Sequence, residues 1–381
     1  MNQALFSYIA ACPTAFQAAA HTAALLEAEG YRPLRETEEW MLEPGGRYYV
    51  MRNGSSLIAF RLPKGRPVGF MMTAAHGDSP TFKIKENAEL AGEYETRLSV
   101  EGYGGMLCAS WMDRPLSVAG RAMVRTENGV AMRLIDLHDD LALIPNVAIH
   151  MNREANNGTK YNFAVDMQPL YGEKGGFHRR IAEAAGVAEE DLLTHDLFLY
   201  NPQPGVEWGG YISAPRLDDL QCAFAALQGF LTAGESQSAA VYCLFDNEEV
   251  GSQTKQGAAS TFLRETLERI QLELIALMGE VGVLDEDREK YLASKIRRIE
   301  EADLARLDDL VDELETEERR FTGWVLAGTS PHQAALHVAR AVCRRAERDV
   351  LALRERGETL GDLPARYLNR LSDVLWLLAR D

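Results

Sequence analysis

Two adjacent glutamates, Glu248 and Glu249, sit inside the run Phe245-Asp246-Asn247-Glu248-Glu249-Val250-Gly251-Ser252. They follow the apolar stretch Ala239-Ala240-Val241-Tyr242-Cys243-Leu244, which has the β-branched and aromatic content of a buried strand and no Gly or Pro. A loop leaving such a strand can present side chains into a crevice. Paired carboxylates there can divide the work, one binding a cation and the other moving a proton. His76-Gly77-Asp78 ends a second apolar run, Val68 to Ala75, and offers an imidazole with a carboxylate two residues on. A metal-bound imidazole needs its other nitrogen held, a part open to Asp78. Asp218, within Pro215-Arg216-Leu217-Asp218-Asp219-Leu220, stands before helical sequence, where a carboxylate can bridge two cations. Such groups suit zinc, which takes N and O donors, acidifies water and polarises a carbonyl.

Each signal alone has an ordinary reading. A Glu-Glu pair can be a solvated turn, a His-x-Asp a surface hydrogen-bonded pair, and Asp218 or Asp219 a helix cap feeding first-turn amides. In order along the chain, each at a strand exit or helix entry, they point to a dinuclear hydrolase site. His76, Asp218 and Glu249 are then ligands, and Glu248 the base.

These residues need a scaffold, and the texture of the chain suggests one. Up to about residue 263, short apolar runs alternate with Gly/Pro/Asn turns and helical stretches, an α/β pattern. The segment from about 81 to 210 holds many short strand-like runs and reads as a β-rich insertion. After 263 the sequence is helical in period: Leu267, Ile270, Leu274, Leu277 and Val281, then Leu304, Leu307, Val311 and Leu314, recur at i+3/i+4 spacing. Ser330-Pro331-His332-Gln333 reads as a helix start, and Tyr367, Leu368, Leu371, Leu375 and Leu378 stripe a last helix. The expected fold is an α/β core carrying a β-rich insertion, followed by an α-helical bundle.

The 381 residues call for two or three domains, and 46% hydrophobic content is that of a globular protein. A net charge of −17 argues against nucleic acid or anionic membrane as a partner. The five scattered cysteines (Cys12, Cys108, Cys222, Cys243, Cys343) form no CxxC and fit a reducing compartment. With neither a signal-like N-terminus nor a run of ~18 uncharged apolar residues, a cytoplasmic protein is expected.

Residues 1 to about 263 resemble the aspartyl aminopeptidase family of dinuclear zinc exopeptidases. The resemblance rests on Ala75-His76-Gly77-Asp78-Ser79-Pro80, on Trp111-Met112-Asp113-Arg114-Pro115-Leu116 through Arg121, and on Ile144-Pro145-Asn146-Val147-Ala148-Ile149-His150. Ser213-Ala214-Pro215-Arg216-Leu217-Asp218-Asp219-Leu220 and Asp246-Asn247-Glu248-Glu249-Val250-Gly251-Ser252 complete it. It implies zinc (one ion or two) on His76, Asp218 and Glu249, with Asp218 bridging. Glu248 and Asp78 become catalytic residues and His150 lies in the substrate region. It further implies a core of residues 1–80 and 211–263, an oligomerisation domain over 81–210, and a homo-oligomer that removes N-terminal, often acidic, residues from peptides. The family pattern continues past Leu263 with a further Asp ligand, a final His ligand and a Lys-bearing substrate segment. None is recognisable here, which leaves open whether the site is active.

Residues from about 267 to 381 instead resemble the PduO-like cob(I)alamin (corrinoid) adenosyltransferases. The carrying segments are Asp287-Arg288-Glu289-Lys290-Tyr291-Leu292, Leu336-His337-Val338-Ala339-Arg340 through Arg344-Arg345-Ala346-Glu347-Arg348, and Tyr367-Leu368-Asn369-Arg370-Leu371-Ser372-Asp373. This implies ATP contacts from Arg344, Arg345, Glu347, Arg348 and Asn369, guanidinium groups being good phosphate grips. The family's opening phosphate-binding segment is missing. Corrinoid adenosyl transfer, with ATP and corrinoid as ligands, is the alternative function; a non-enzymatic fusion is a third.

Overall fold

The computed structural model describes residues 1–65, 69–172, 174–270, 285–293, 298–315, 331–357 and 360–380. Val68, Leu274, Leu277, Val281 and Ser330, all used in the sequence reading, lie outside them. The chain divides into two compact units, Met1–Arg264 and Glu265–Asp381.

In the first unit, helices α1 (Asn2–Ala11) and α2 (Ala15–Ala28) lead into β1 (Arg32–Leu34), β2 (Arg47–Arg52), β3 (Ser56–Arg61) and β4 (Phe70–His76). The chain returns to this sheet only after residue 200, through the hairpin β11 (Val206–Trp208) and β12 (Tyr211–Ser213), helix α4 (Leu217–Thr232) and strand β13 (Ala239–Phe245). The sheet order is β1-β2-β3-β13-β4. Strand β13 is buried along its whole length, as its unbroken apolar sequence requires. It runs antiparallel to β3 and parallel to β4, with Phe245 opposite His76. That register decides the site: both strands end at the same sheet edge and deliver their loops side by side. Leu26 of α2, Leu220, Ala223 and Leu227 of α4, and Tyr242 and Leu244 of β13 share one core. Full burial of a Leu or Phe contributes about 1.5–3 kcal/mol.

Between the two visits to that sheet lies a second, wholly antiparallel one. It comprises β5 (Thr81–Ala91), β6 (Thr96–Tyr103), β7 (Pro115–Thr126), β8 (Gly129–Asp136), β9 (Ala142–Leu143) and β10 (Leu192–Tyr200). Its order is β6-β5-β10-β7-β8, with β9 on β7. Alternate residues of β5 and β6 face inward (Phe82 and Ile84; Leu98 and Val100), the period a one-sided sheet dictates. Helix α3 (Phe177–Ala185) closes that core with Phe177, Ile181 and Ala182.

Helix α5 (Phe262–Ile270) carries the division between the units. The second unit continues with α6 (Arg288–Ala293), α7 (Glu301–Leu314), α8 (Pro331–Glu355) and α9 (Leu363–Leu378). Leu307, Val311, Cys343, Val350, Leu368 and Leu377 meet in its core. A reciprocal cap between Glu300 and Asp303 starts α7. Mixed sheets followed by helices are the architecture the sequence texture implies. Among the described residues, no helix is long and apolar enough to cross a membrane.

Candidate metal centre

The loop after β13 turns sharply, with Asn247 in the left-handed region at φ 65°. Asn247 is tied down on both sides. Its Nδ2 donates to Tyr103 Oη at 2.9 Å, and its Oδ1 accepts from Thr254 Oγ1 at 2.7 Å and Gln256 Nε2 at 2.9 Å. Asp246, 4% exposed, takes Ser56 Oγ on its backbone N–H at 2.9 Å. Burial pushes its carboxyl up to about 6.

Asp78, from the loop after β4, anchors this turn. Its Oδ1 accepts from the backbone N–H of Glu248 at 3.3 Å, and its Oδ2 from that of Glu249 at 3.3 Å and from Tyr103 Oη at 2.9 Å. Asp78 is 3% exposed, so these bonds satisfy a carboxylate with almost no access to water. Its partners are therefore the loop amides and Tyr103; among the described residues no bond joins it to His76. Burial and the neighbouring Asp78 push the Tyr103 phenol far up, so it stays neutral.

With the turn fixed, carboxylate oxygens of Asp219, Glu248 and Glu249 lie within 4.8 Å of one another. Asp219 enters from the first turn of α4, where the Asp218–Asp219 peptide is cis. Partial burial, a hydrogen bond that protonated Asp219 donates to Asp218, and the charges of Asp218, Glu248 and Asp78 push Asp219 up to about 7. Partial burial, then the charges of Glu248, Asp78, Asp218 and Asp219, push Glu249 up to about 7. Gly104 makes room for this arrangement. Its φ is +80°, and an added Cβ would stand 2.2 Å from Glu249 Oε2, so no other residue fits without displacing the glutamate.

His76 and Asp218 are not in the group of three. His76 pairs in register with Phe245, its ring centroid 6.4 Å from that of Phe245, and its buried Nδ1 has no hydrogen-bond partner. Asp218 is exposed beside Asp219 and lines an adjoining cavity. His150 is exposed in the loop after β9 and does not line that cavity. Sequence reasoning weighed Asp219 only as a helix cap and gave Tyr103 and Gly104 no part in the site. Asp219 had a visible signal, a second carboxylate in the same turn; the other two act through contacts distant in sequence.

Crowded carboxylates with raised pKa values and an imidazole nitrogen lacking a partner are a donor set that a divalent cation satisfies. Among the described residues, Asp219, Glu248 and Glu249 form the group whose oxygens could share one ion, with the unpartnered His76 nitrogen at the neighbouring strand end.

In the second unit, Glu347 of α8 pairs with Arg344 one turn before it and accepts from Asn369 Nδ2 of α9 at 2.9 Å. Arg345 and Arg348 are exposed and stand outside this cluster. The side chain of His332 lies outside the described residues.

Two family profiles match the chain. The one described as aminopeptidase I zinc metalloprotease (M18) covers residues 8–280, and the one described as cobalamin adenosyltransferase covers residues 217–381. The chain is similar to the probable M18 family aminopeptidase 2 of Clostridium novyi (strain NT), 40% identical over 285 residues, which are 71% of this chain and 66% of the relative. The same protein in Pseudomonas fluorescens (strain SBW25) is 39% identical over 284 residues, with the same shares. This chain thus spans 66% of the length of these relatives. Among solved structures, it is similar to a chain of the Ape4 and Nbr1 complex, with TM-score 0.69, 25% identity, and 86% of this chain and 75% of that one covered. For the S. cerevisiae mApe1 dodecamer the TM-score is 0.61 at 29% identity, over 70% of this chain and 65% of that one.

Proposed function

The chain belongs to the M18 aminopeptidase family through residues 8–280, and from that premise we propose that it is a zinc-dependent aminopeptidase acting on peptide N-termini. The observation that carries this reading is the convergence of Asp219, Glu248 and Glu249, with the unpartnered His76 nitrogen at the neighbouring strand end.

In this reading His76, Asp218, Asp219 and Glu249 would hold one zinc ion or two. Bound zinc would supply Lewis acidity toward a peptide carbonyl and toward water. Glu248, exposed among the three carboxylates, accepts a proton from the attacking water and returns it to the departing amine. Asp78 positions both glutamates by holding their backbone N–H groups. Residues 1–80 and 211–263 form the catalytic core and 81–210 an inserted oligomerisation domain. A homo-oligomer fits the dodecamer found for mApe1. Five free thiols fit the cytoplasm.

The test is hydrolysis of aminoacyl-p-nitroanilides by the full chain with zinc. Replacing Glu248 by Gln should lower kcat by a factor on the order of 10² or more, since proton transfer is worth about that much. An unchanged rate in E248Q would remove Glu248 from the chemistry.

The match over residues 217–381 favours a second reading for the tail, as a fused adenosyltransferase-like unit. There the linked Arg344, Glu347 and Asn369 form the nucleotide-facing group, with Arg345 and Arg348 as exposed phosphate contacts. Calorimetry with ATP, and then with a corrinoid, checks it. No heat at millimolar ligand leaves the tail without a ligand-binding role.

A further inference from the structure

A cavity of about 540 Å³ opens inside the first unit, with Asp78, Asp196, Asp218 and Asp246 in its lining. Four cationic side chains line it: Lys83, Arg114, Arg121 and Arg216. Three of them are spoken for. Lys83 Nζ meets Asp196 Oδ1 at 2.9 Å, and Arg121 Nε meets Asp196 Oδ2 at 2.9 Å. Arg216 donates to the carbonyls of Ile9 at 2.9 Å and Asn201 at 3.0 Å.

Arg114 differs. A buried Nε without a partner is common to Arg114 and Arg216, but the Nη groups of Arg216 are bonded to carbonyls, whereas among the described residues the Arg114 guanidinium has neither a hydrogen bond nor a paired carboxylate. Its place is fixed by the backbone before it. Asp113 adopts φ 55°, its N–H donates to Ile144 O at 2.9 Å, and its Oδ1 accepts from Asn146 N–H at 2.8 Å. Pro115 then begins β7, which leaves Arg114 at a pinned corner on the cavity wall. Trp111, edge-on to Phe82 at 5.3 Å, braces the same corner.

A guanidinium with a buried, unsatisfied nitrogen is costly unless something accepts its hydrogen bonds, and a carboxylate matches its planar fork. We propose that Arg114 is a specificity-determining residue that binds a carboxylate of the substrate within this cavity. Only the assignment of the reacting end to the Asp218 side rests on the aminopeptidase reading; the cation and the cavity stand without it. The carboxylate can be the side chain of an acidic N-terminal residue or the free C-terminus of a short peptide.

Binding to the full chain separates these sources and needs no turnover. Calorimetric titrations of L-glutamate, L-glutamine and L-isoglutamine (the α-amide of glutamate) are run on the wild type, on Arg114→Gln and on Arg114→Lys, each checked for an unchanged unfolding midpoint. Glutamate should bind the wild type, bind R114Q at least tenfold more weakly, and regain part of that affinity in R114K. Loss of affinity for glutamine alone assigns the contact to the side-chain carboxylate, and loss for isoglutamine alone to the α-carboxylate. Equal affinity of wild type and R114Q for all three ligands, or binding of none of them, overturns the proposal. Arg114-dependent glutamate binding in a protein with no peptidase activity keeps this inference and removes the aminopeptidase one.

Discussion

At the scale of single residues, the site is a problem of charge placement. Asp219 and Glu249 each sit at about 7 because partial burial and neighbouring carboxylates oppose their ionisation. An ordinary carboxyl in an unfolded chain titrates near ~4. Between those values the folded, metal-free protein holds protons that the unfolded chain has released, so its stability falls as pH rises. In EDTA, the unfolding midpoint should be higher at pH 5 than at pH 8, and Glu249→Gln should shrink the difference; an equal difference in the variant contradicts the assignment. Asp78 makes a complementary prediction. Asp78→Ala leaves the Glu248 and Glu249 amides and Tyr103 without their acceptor, and should cost about 1–3 kcal/mol in urea unfolding. A change below about 0.5 kcal/mol would mean those bonds are dispensable. Sequence named Glu248, Glu249, His76 and Asp78 because carboxylates and imidazoles at strand ends are visible one at a time. It assigned Asp78 to His76, whereas the structure gives Asp78 to the neighbouring loop, a contact spanning 170 residues.

At the scale of elements, the parallel pairing of β4 and β13 is what brings the two loops together. Strand β13 was readable in advance, because seven consecutive apolar residues have few alternatives to a central strand. Its partner was not, since strand order depends on crossovers that leave no local mark. Leu244→Ala, at a position with no solvent exposure, should cost about 2–5 kcal/mol by opening a cavity beneath the site. Gly104→Ala tests positioning instead. It should barely alter the circular dichroism spectrum yet weaken zinc binding at least tenfold, because the methyl group claims the space of Glu249 Oε2. Zinc affinity equal to that of the wild type would show that Glu249 can hold the ion from elsewhere.

At the scale of the whole molecule, the chain is two units with different family affinities, and the first carries the candidate centre. The change in texture near residue 263 was legible because a bundle's i+3/i+4 stripes look nothing like alternating strands and turns. The inserted antiparallel sheet was foreseen only as β-rich; its order depends on pairings such as β10 with β5, Phe198 opposite Lys83, that cross most of the insertion. A cation bound by the first unit should act there alone. Hydrogen exchange read by mass spectrometry should show zinc-dependent protection around residues 76–78, 217–220 and 246–251, with 301–314 and 363–378 unchanged. Equal protection throughout would mean a general effect on folding.

The proposed chemistry depends most on one property, the capacity of His76, Asp218, Asp219 and Glu249, with Glu248 beside them, to retain a divalent cation. Elemental analysis of the purified full chain, dialysed after zinc loading, measures it directly. The proposed function predicts one to two zinc ions per chain in the wild type and a marked loss in Glu249→Ala. A wild type that retains no zinc, or a variant that retains as much as the wild type, contradicts it.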